Sequence, residues 1–500
     1  MLSLVRKEFA SRGVVEALKQ YIRIPNQSPN FDPDFMTNGH QDAAVELLTN
    51  WVQQQKIANL SLEVLRLPER TPLIVMEIPA FNTSSTTAAL IYGHFDKQPP
   101  LFDGGWVAGG GPYTPLVTED GQKLYGRGGA DDGYAIFGAI TALAALHESG
   151  KPHPKICIVI EGSEESGSRD LPAYMDLIRE KIQDTSLVIC LDSGCGNYDQ
   201  LWVTSSLRGI VVGDLKVSVL TEGVHSGDAS GVVPSSFRIA RQLLGRLESD
   251  ETGEILPQEL HCQDAELFFA KAREAGELLG KAGMVDCFPF LCRPVVEGDY
   301  GALAVNRWWR PQLEVIGAGG FPLPADAGNV LRPSSTLTLS LRLPPTVDKP
   351  TACRALEKLF SENPPYQAKV EFKISKASQG WSAPVCAPWL DRSLQAASER
   401  NFDGKPAVFQ GEGGSIPFMG QLGAMLPSAQ FFVCGVLGPN SNAHGPNEFL
   451  HLDYCQRIIA CVADVLTDSC QNSEPARKMP KIQQQQVASE FTRNLDGTKI

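Results

Sequence analysis

The chain has 500 residues, 43% of them hydrophobic and 20% charged, with a formal net charge of -13. That length calls for two domains, and the composition is that of a soluble globular protein. The acidic balance argues against a nucleic-acid or anionic-membrane partner, and no run approaches the roughly 18–20 apolar residues of a membrane span.

The first ten residues break their apolar stretch with Arg6, Lys7 and Glu8, which predicts an amphipathic helix and not a secretory leader. Strand-like runs follow at residues 73–78, 88–92, 155–160 and 187–191, with a long small-residue helix over 134–146 between them. Alternating strands and helices predict a mixed, largely parallel sheet flanked by helices, an α/β arrangement. From about residue 209 the texture changes to half-exposed alternating strands at 211–219 and 335–342, with helices over 235–247 and 351–362. This block, 209–384, reads as an inserted α+β domain. The α/β texture returns over 385–470, so the domain begun in 1–208 is discontinuous. Residues 471–500, with four consecutive glutamines at 483–486 and little apolar periodicity, read as a mobile tail.

The 12 cysteines are scattered, without a Cys-x-x-Cys pair, and several fall inside apolar runs. A reducing cytoplasm suits them.

Five polar groups close apolar runs or Gly-rich turns: His94, Asp131, Glu165, Asp192 and His444. Singly, each has an ordinary explanation: a hydrogen-bonded histidine, an N-capping aspartate, a solvated turn. Together they form a set that fits a two-metal site, because zinc-like ions take His nitrogen and carboxylate oxygen and a paired site needs one bridging ligand. Two histidines and three carboxylates leave net positive charge beside two divalent ions, which favours hydroxide over water. Asp96, two residues after His94, is placed to orient it. Two rivals fare worse. The loop Gly126-Arg-Gly-Gly-Ala-Asp131 puts acids where a dinucleotide phosphate would lie, and Gly411-Glu-Gly-Gly-Ser415 lacks the spacing of a nucleophile elbow.

Seven strings in order resemble the di-metal aminopeptidase-like hydrolases of the glutamate carboxypeptidase, aminoacylase and carnosinase family, and most of all its cytosolic non-specific dipeptidase branch. They are Tyr92-Gly-His-Phe-Asp-Lys-Gln-Pro99, Leu124-Tyr-Gly-Arg-Gly-Gly-Ala-Asp-Asp-Gly133, Glu161-Gly-Ser-Glu-Glu-Ser-Gly167, His225-Ser-Gly227, Ser340-Leu-Arg342, Glu412-Gly-Gly-Ser-Ile-Pro417 and Asn442-Ala-His-Gly-Pro-Asn-Glu448. The resemblance runs from near residue 12 to about 466. It implies that Asp131 bridges two metals, His94 and Asp192 complete one site, and Glu165 and His444 complete the other. Glu164 would be the general base, and a metal-bridging hydroxide would attack the amide of a small peptide bearing a free carboxylate. The inserted domain would serve as lid and dimerisation surface, with His225 reaching a homodimer partner's site to stabilise the oxyanion. Arg342, Ser415 and Asn329 would bind substrate. The same site could serve an N-acyl amino acid deacylase, and a silent scaffold would not need to keep Glu164 and all five ligands. Zinc is the expected ion, with manganese close behind. Lys97, where relatives usually carry an apolar residue, is expected to bring a charge near the site.

Overall fold

The computed structural model describes residues 1–102, 105–106, 110–263, 265–414 and 416–471. The anticipated tail therefore lies, apart from residue 471, outside the described residues. Among these residues no helix is long and apolar enough to cross a membrane.

A six-stranded sheet forms the centre of the larger unit. Its strands lie in the order Ser61–Leu65, Leu73–Ile78, Lys155–Glu161, Ala88–His94, Thr185–Cys190 and Gln430–Val433. The first two pairings are antiparallel and the other three parallel, so the sheet is mixed and largely parallel as expected. Alternation along the strands feeds two cores. Ile74, Met76, Ile91, Ile158 and Ile160 face one layer, whose helices include Val14–Ile22, Tyr134–Ser149 and Leu452–Ser469. Leu73, Val75, Leu90, Tyr92 and Val159 face the other, where Leu171, Tyr174, Met419 and Leu422 cover them. Both faces being buried explains why these strands read as continuous apolar runs. The helix Tyr134–Ser149 is buried along nearly its whole length because it is sandwiched between the sheet and Leu452–Ser469.

The second unit is a four-stranded antiparallel sheet in the order Gln312–Gly319, Ser334–Leu343, Gly209–Ser218 and Lys369–Ser378. Ser334–Leu343 alternates buried and half-buried residues without a break, one face packing on the helices Ser236–Leu247 and Lys349–Ser361. The chain enters this unit where Trp202–Leu207 gives way to Gly209 and leaves it where Trp381 pairs back with Leu207. Gly209 and Gly380 touch there so closely that a Cβ on Gly209 would lie 2.9 Å from the Gly380 nitrogen.

Candidate metal centre

The parallel strands Lys155–Glu161, Ala88–His94 and Thr185–Cys190 lie side by side in register, His94 opposite Glu161 and Tyr92 opposite Cys190. Their carboxyl ends therefore deliver His94, the Glu164–Glu165 turn and Asp192 to one crevice, the place where open α/β sheets bind ligands. Asp131 arrives from the turn before the helix Tyr134–Ser149, and His444 from the loop after the edge strand Gln430–Val433.

Two triads result. His94, Asp131 and Asp192 form one, and Asp131, Glu165 and His444 form the other, with Asp131 common to both. His94 Nε2 lies 3.3 Å from Asp131 Oδ1 and 3.6 Å from Asp192 Oδ1. His444 Nε2 lies 3.1 Å from Asp131 Oδ2 and 3.4 Å from Glu165 Oε2. Asp96 works behind them. Its Oδ1 is 3.4 Å from His94 Nδ1, while its two oxygens accept the backbone N–H groups of Glu164 and Glu165, each at 3.0 Å. One buried carboxylate thus fixes the ring of one candidate ligand and the turn that carries another. Gly93 is required here by close approach, because a Cβ would sit 2.5 Å from that of Ala135.

The electrostatics ask for cations. Asp131, Glu164 and Asp192 are buried, and among the described residues no lysine or arginine reaches ion-pair distance of them or of Glu165. Glu165 Oε1 is buried with no hydrogen-bond partner, and Asp131 Oδ2 is met only by the His444 ring. Uncompensated buried carboxylates with a free oxygen, facing two imidazoles, fit a pair of divalent ions. Without metal, burial pushes Glu164 up, reinforced by the charges of Asp192, Glu165 and Asp96 against the opposing pull of His94. Burial likewise pushes Glu165 up to about 8, with the Asp131 charge adding to it. For His444 burial acts downward, but the Asp131 hydrogen bond and the charges of Glu165 and Asp131 win and raise it to about 9. His94 is raised well above its ordinary value, burial being outweighed by Asp192 and Asp131.

These protonated groups compete with metal, since a ligating imidazole must be neutral and a ligating carboxyl ionised. Below about pH 9 the His444 proton must leave as metal enters, so each displaced proton weakens apparent affinity about tenfold per unit of falling pH. Calorimetric titration of metal-free protein near pH 7 in two buffers of different ionisation enthalpy should therefore show proton release, and affinity rising toward pH 9. Uptake without proton release would contradict this electrostatic picture.

The remaining sequence candidates lie elsewhere or in part. Arg342, half-buried on the strand Ser334–Leu343, pairs with Ile210 and Gln312 in the four-stranded sheet. His225 stands on a two-residue strand with its side chain 66% exposed, 3.5 Å from the exposed Asp228, and is not part of either triad. Asn329 is exposed on the facing ribbon, where its carbonyl accepts the Ser226 N–H at 2.9 Å. Ser415 lies outside the described residues. Lys97 corrects an expectation. Its ammonium pairs with none of the candidate ligands but donates to the carbonyls of Tyr21 and Ile24 at 2.8 and 2.6 Å, over the Tyr21 ring. Those carbonyls lie at the end of the helix Val14–Ile22, where unsatisfied acceptors attract a cation.

Other groups emerge only in three dimensions. Glu412 accepts the Gly194 N–H at 3.2 Å, two residues from Asp192. Gln98 donates to Glu165. Arg208, at the passage between the two units, donates from its backbone to the carbonyls of Glu412 and Gly414 and from Nε to that of Gly413. Its Nη1 is buried without a partner, and burial plus the repulsion of Arg342 and Arg307 lower it to about 9. A cavity of about 740 Å³ opens beside this cluster, lined by Arg307, Glu412, Asn442 and Ala443 among others.

The sequence matches the model of peptidase family M20/M25/M40 over residues 90–468. It is 26% identical over 456 residues to a cysteinylglycine-S-conjugate dipeptidase of Corynebacterium striatum, covering 89% of this chain and 93% of that one. A Cys-Gly metallodipeptidase of Schizosaccharomyces pombe is 26% identical over 399 residues, covering 74% of this chain and 78% of the relative. A solved structure of the dipeptidase Dug1p of Saccharomyces cerevisiae superposes with a TM-score of 0.75 at 20% identity, covering 95% of this chain and 99% of that one. Human carnosine dipeptidase 1 follows at 0.69 and 18%, covering 94% and 100%.

Proposed function

This chain belongs to peptidase family M20/M25/M40 and is a metal-dependent dipeptide hydrolase, and from that premise we propose that it cleaves dipeptides bearing a free carboxylate with Glu164 as general base. The carrying observation is the pair of triads that share Asp131, with the buried Glu164 beside both and in neither. His94, Asp131 and Asp192 would hold one divalent ion, and Asp131, Glu165 and His444 the other. When bound, such ions supply positive charge that polarises the scissile carbonyl and acidifies a water nucleophile. Zinc is the ion we assign first and manganese second, both accepting mixed nitrogen and oxygen ligands.

The chain's own groups do the rest. Asp96 keeps the His94 ring oriented and the Glu164 turn in place. The Glu164 carboxylate takes the proton of the attacking water and returns it to the amide nitrogen as the C–N bond breaks. Arg342 grips the substrate carboxylate through two parallel N–H groups, with the guanidinium of Arg208, whose Nη1 is buried without a partner, adding positive potential behind it. Ser415 and Asn329 would be further polar contacts. The beside-lying cavity leaves room for the substrate's other residue.

In this reading residues 1–208 and 385–470 are the catalytic domain and 209–384 the lid, with 471–500 a tail. The exposure of His225 suits a group awaiting a second subunit, where it would stabilise the oxyanion of its neighbour in a homodimer. A reducing cytoplasm agrees with the scattered cysteines, six of them buried.

The test is a panel of dipeptides, Cys-Gly and β-Ala-His included, beside acetylated amino acids, against metal-stripped protein reloaded separately with zinc and manganese. Metal-dependent release of free amino acids from the dipeptides is the expected result. Release from the acetylated compounds alone would make the protein a deacylase instead. Arg342→Gln should raise KM for a dipeptide about 10- to 100-fold, the worth of a charge-assisted hydrogen bond. Its rate on the matching C-terminal amide should barely change. An equal loss on both would remove Arg342 from carboxylate recognition.

A further inference from the structure

Glu448 is fully buried, yet neither triad contains it. Its carboxylate accepts the backbone N–H groups of Gly128, Ala130 and Asp131 at 3.0, 3.1 and 3.2 Å, and Arg127 Nη1 at 2.9 Å. Its own carbonyl accepts the Gly126 N–H at 3.0 Å. Every polar contact of this side chain therefore goes to the loop that ends in Asp131. Arg127 is 1% exposed and spreads its fork over two distant segments. Nη1 holds Glu448, Nη2 donates to the Gly445 carbonyl at 2.8 Å, and Nε donates to that of Pro99 at 3.2 Å. One segment follows His94 and Asp96, the other follows His444, and Arg127 itself stands just before Asp131.

Lys97 completes the arrangement from below. A Cβ at Gly128 would lie 2.6 Å from the Cγ and Cε of Lys97, so that side chain is the floor on which the loop rests. Gly128 also has a φ of +79°, a second reason for glycine. A backbone N–H at Asp131 bonded to a buried carboxylate leaves that residue little freedom to turn, and the oxygens of Asp131 face His94 on one side and His444 on the other.

We propose that Arg127 and Glu448 are positioning residues for the metal centre: a buried ion pair that gathers the Gly126–Asp131 loop and holds Asp131 between the two triads. The inference rests on Asp131 being the shared ligand, as put forward above. A carboxylate that collects several N–H groups fixes a backbone more tightly than any one of its bonds, because loss of one leaves the others aligned. Groups that orient a ligand in this way commonly set about 10- to 100-fold of metal affinity.

The experiment is titration of metal-free wild type, Glu448→Gln and the double variant Arg127→Met/Glu448→Met with Mn²⁺ or Zn²⁺, alongside kcat and KM for a dipeptide. The double variant removes both charges and keeps the volume, since a buried ion pair replaced as a unit is better tolerated than one broken. We expect both variants to bind metal about 10- to 100-fold more weakly, with kcat reduced at limiting metal and KM unchanged. Folded variants that bind metal as tightly as wild type, losing only thermal stability, would overturn the proposal. Should neither fold, Arg127→Lys, which keeps the charge and loses the fork, decides by the same titration. A wild type that takes up no metal would defeat the ligand assignment itself, a result distinct from a variant that takes up two ions unimpaired.

Discussion

Glu164→Gln is expected to lower kcat by roughly 10²- to 10⁴-fold, the range of a positioned general base, while both ions remain bound. The substitution is close to isosteric and removes only the ability to take a proton. Glu164 is buried, its backbone N–H is fixed by Asp96, and it lies in neither triad, so the five candidate ligands keep their places. Its carboxyl is pushed up by burial and by the acids around it. Two divalent charges nearby would draw it down again, toward the range where a base is most effective near neutral pH. Metal content and turnover, measured on the same preparation, separate the outcomes. Lost activity with two ions retained assigns the proton transfer to Glu164. Activity near that of wild type would sink the role, and lost metal would make Glu164 a ligand.

The parts of this protein that could be read from its sequence share one property: their signal is local. The runs at 88–92, 155–160 and 187–191 became three adjacent parallel strands, because burial on both faces requires an unbroken apolar run. The helix begun at Tyr134 was plain for the same reason. The five candidate ligands were visible because each closes an apolar run or a Gly-rich turn, His94 and Asp192 where a strand meets the crevice.

Pairings over long separations left no such mark. Trp202–Leu207 and Val408–Glu412 lie parallel in one small sheet, some two hundred residues apart, and neither is apolar enough to announce itself. Arg127, Arg208 and Glu448 act through backbone groups of distant loops, so residue type and spacing say nothing of their partners. The string Asn442-Ala-His-Gly-Pro-Asn-Glu448 did contain Glu448, but the histidine drew the interpretation. Lys97 misled in the opposite sense. A lysine beside Asp96 suggests a charge near the site and available to it, whereas its four-carbon stem carries the ammonium to the end of a helix.

Asp131→Asn should be the most damaging single change at the ligands, because Asp131 alone belongs to both triads. His94→Ala or His444→Ala removes one ligand from one triad and leaves the other intact. An amide at position 131 keeps the shape but offers one neutral oxygen where two charged ones faced His94 and His444 at 3.3 and 3.1 Å. The histidines that flank it then confront Asp192 and Glu165 without the carboxylate that joins them. Two ions held close together also repel, and the shared negative charge is what offsets that repulsion, so its removal weakens both sites at once. Several kcal/mol of Lewis-acid stabilisation should go with them, which is roughly 10³-fold in rate. Elemental analysis after dialysis should find well under one ion per chain in Asp131→Asn, against about one in His444→Ala. Two ions retained in Asp131→Asn at wild-type affinity would mean that Asp131 bridges nothing, and the pair of triads would have to be redrawn around Glu165 and Asp192 as separate sites.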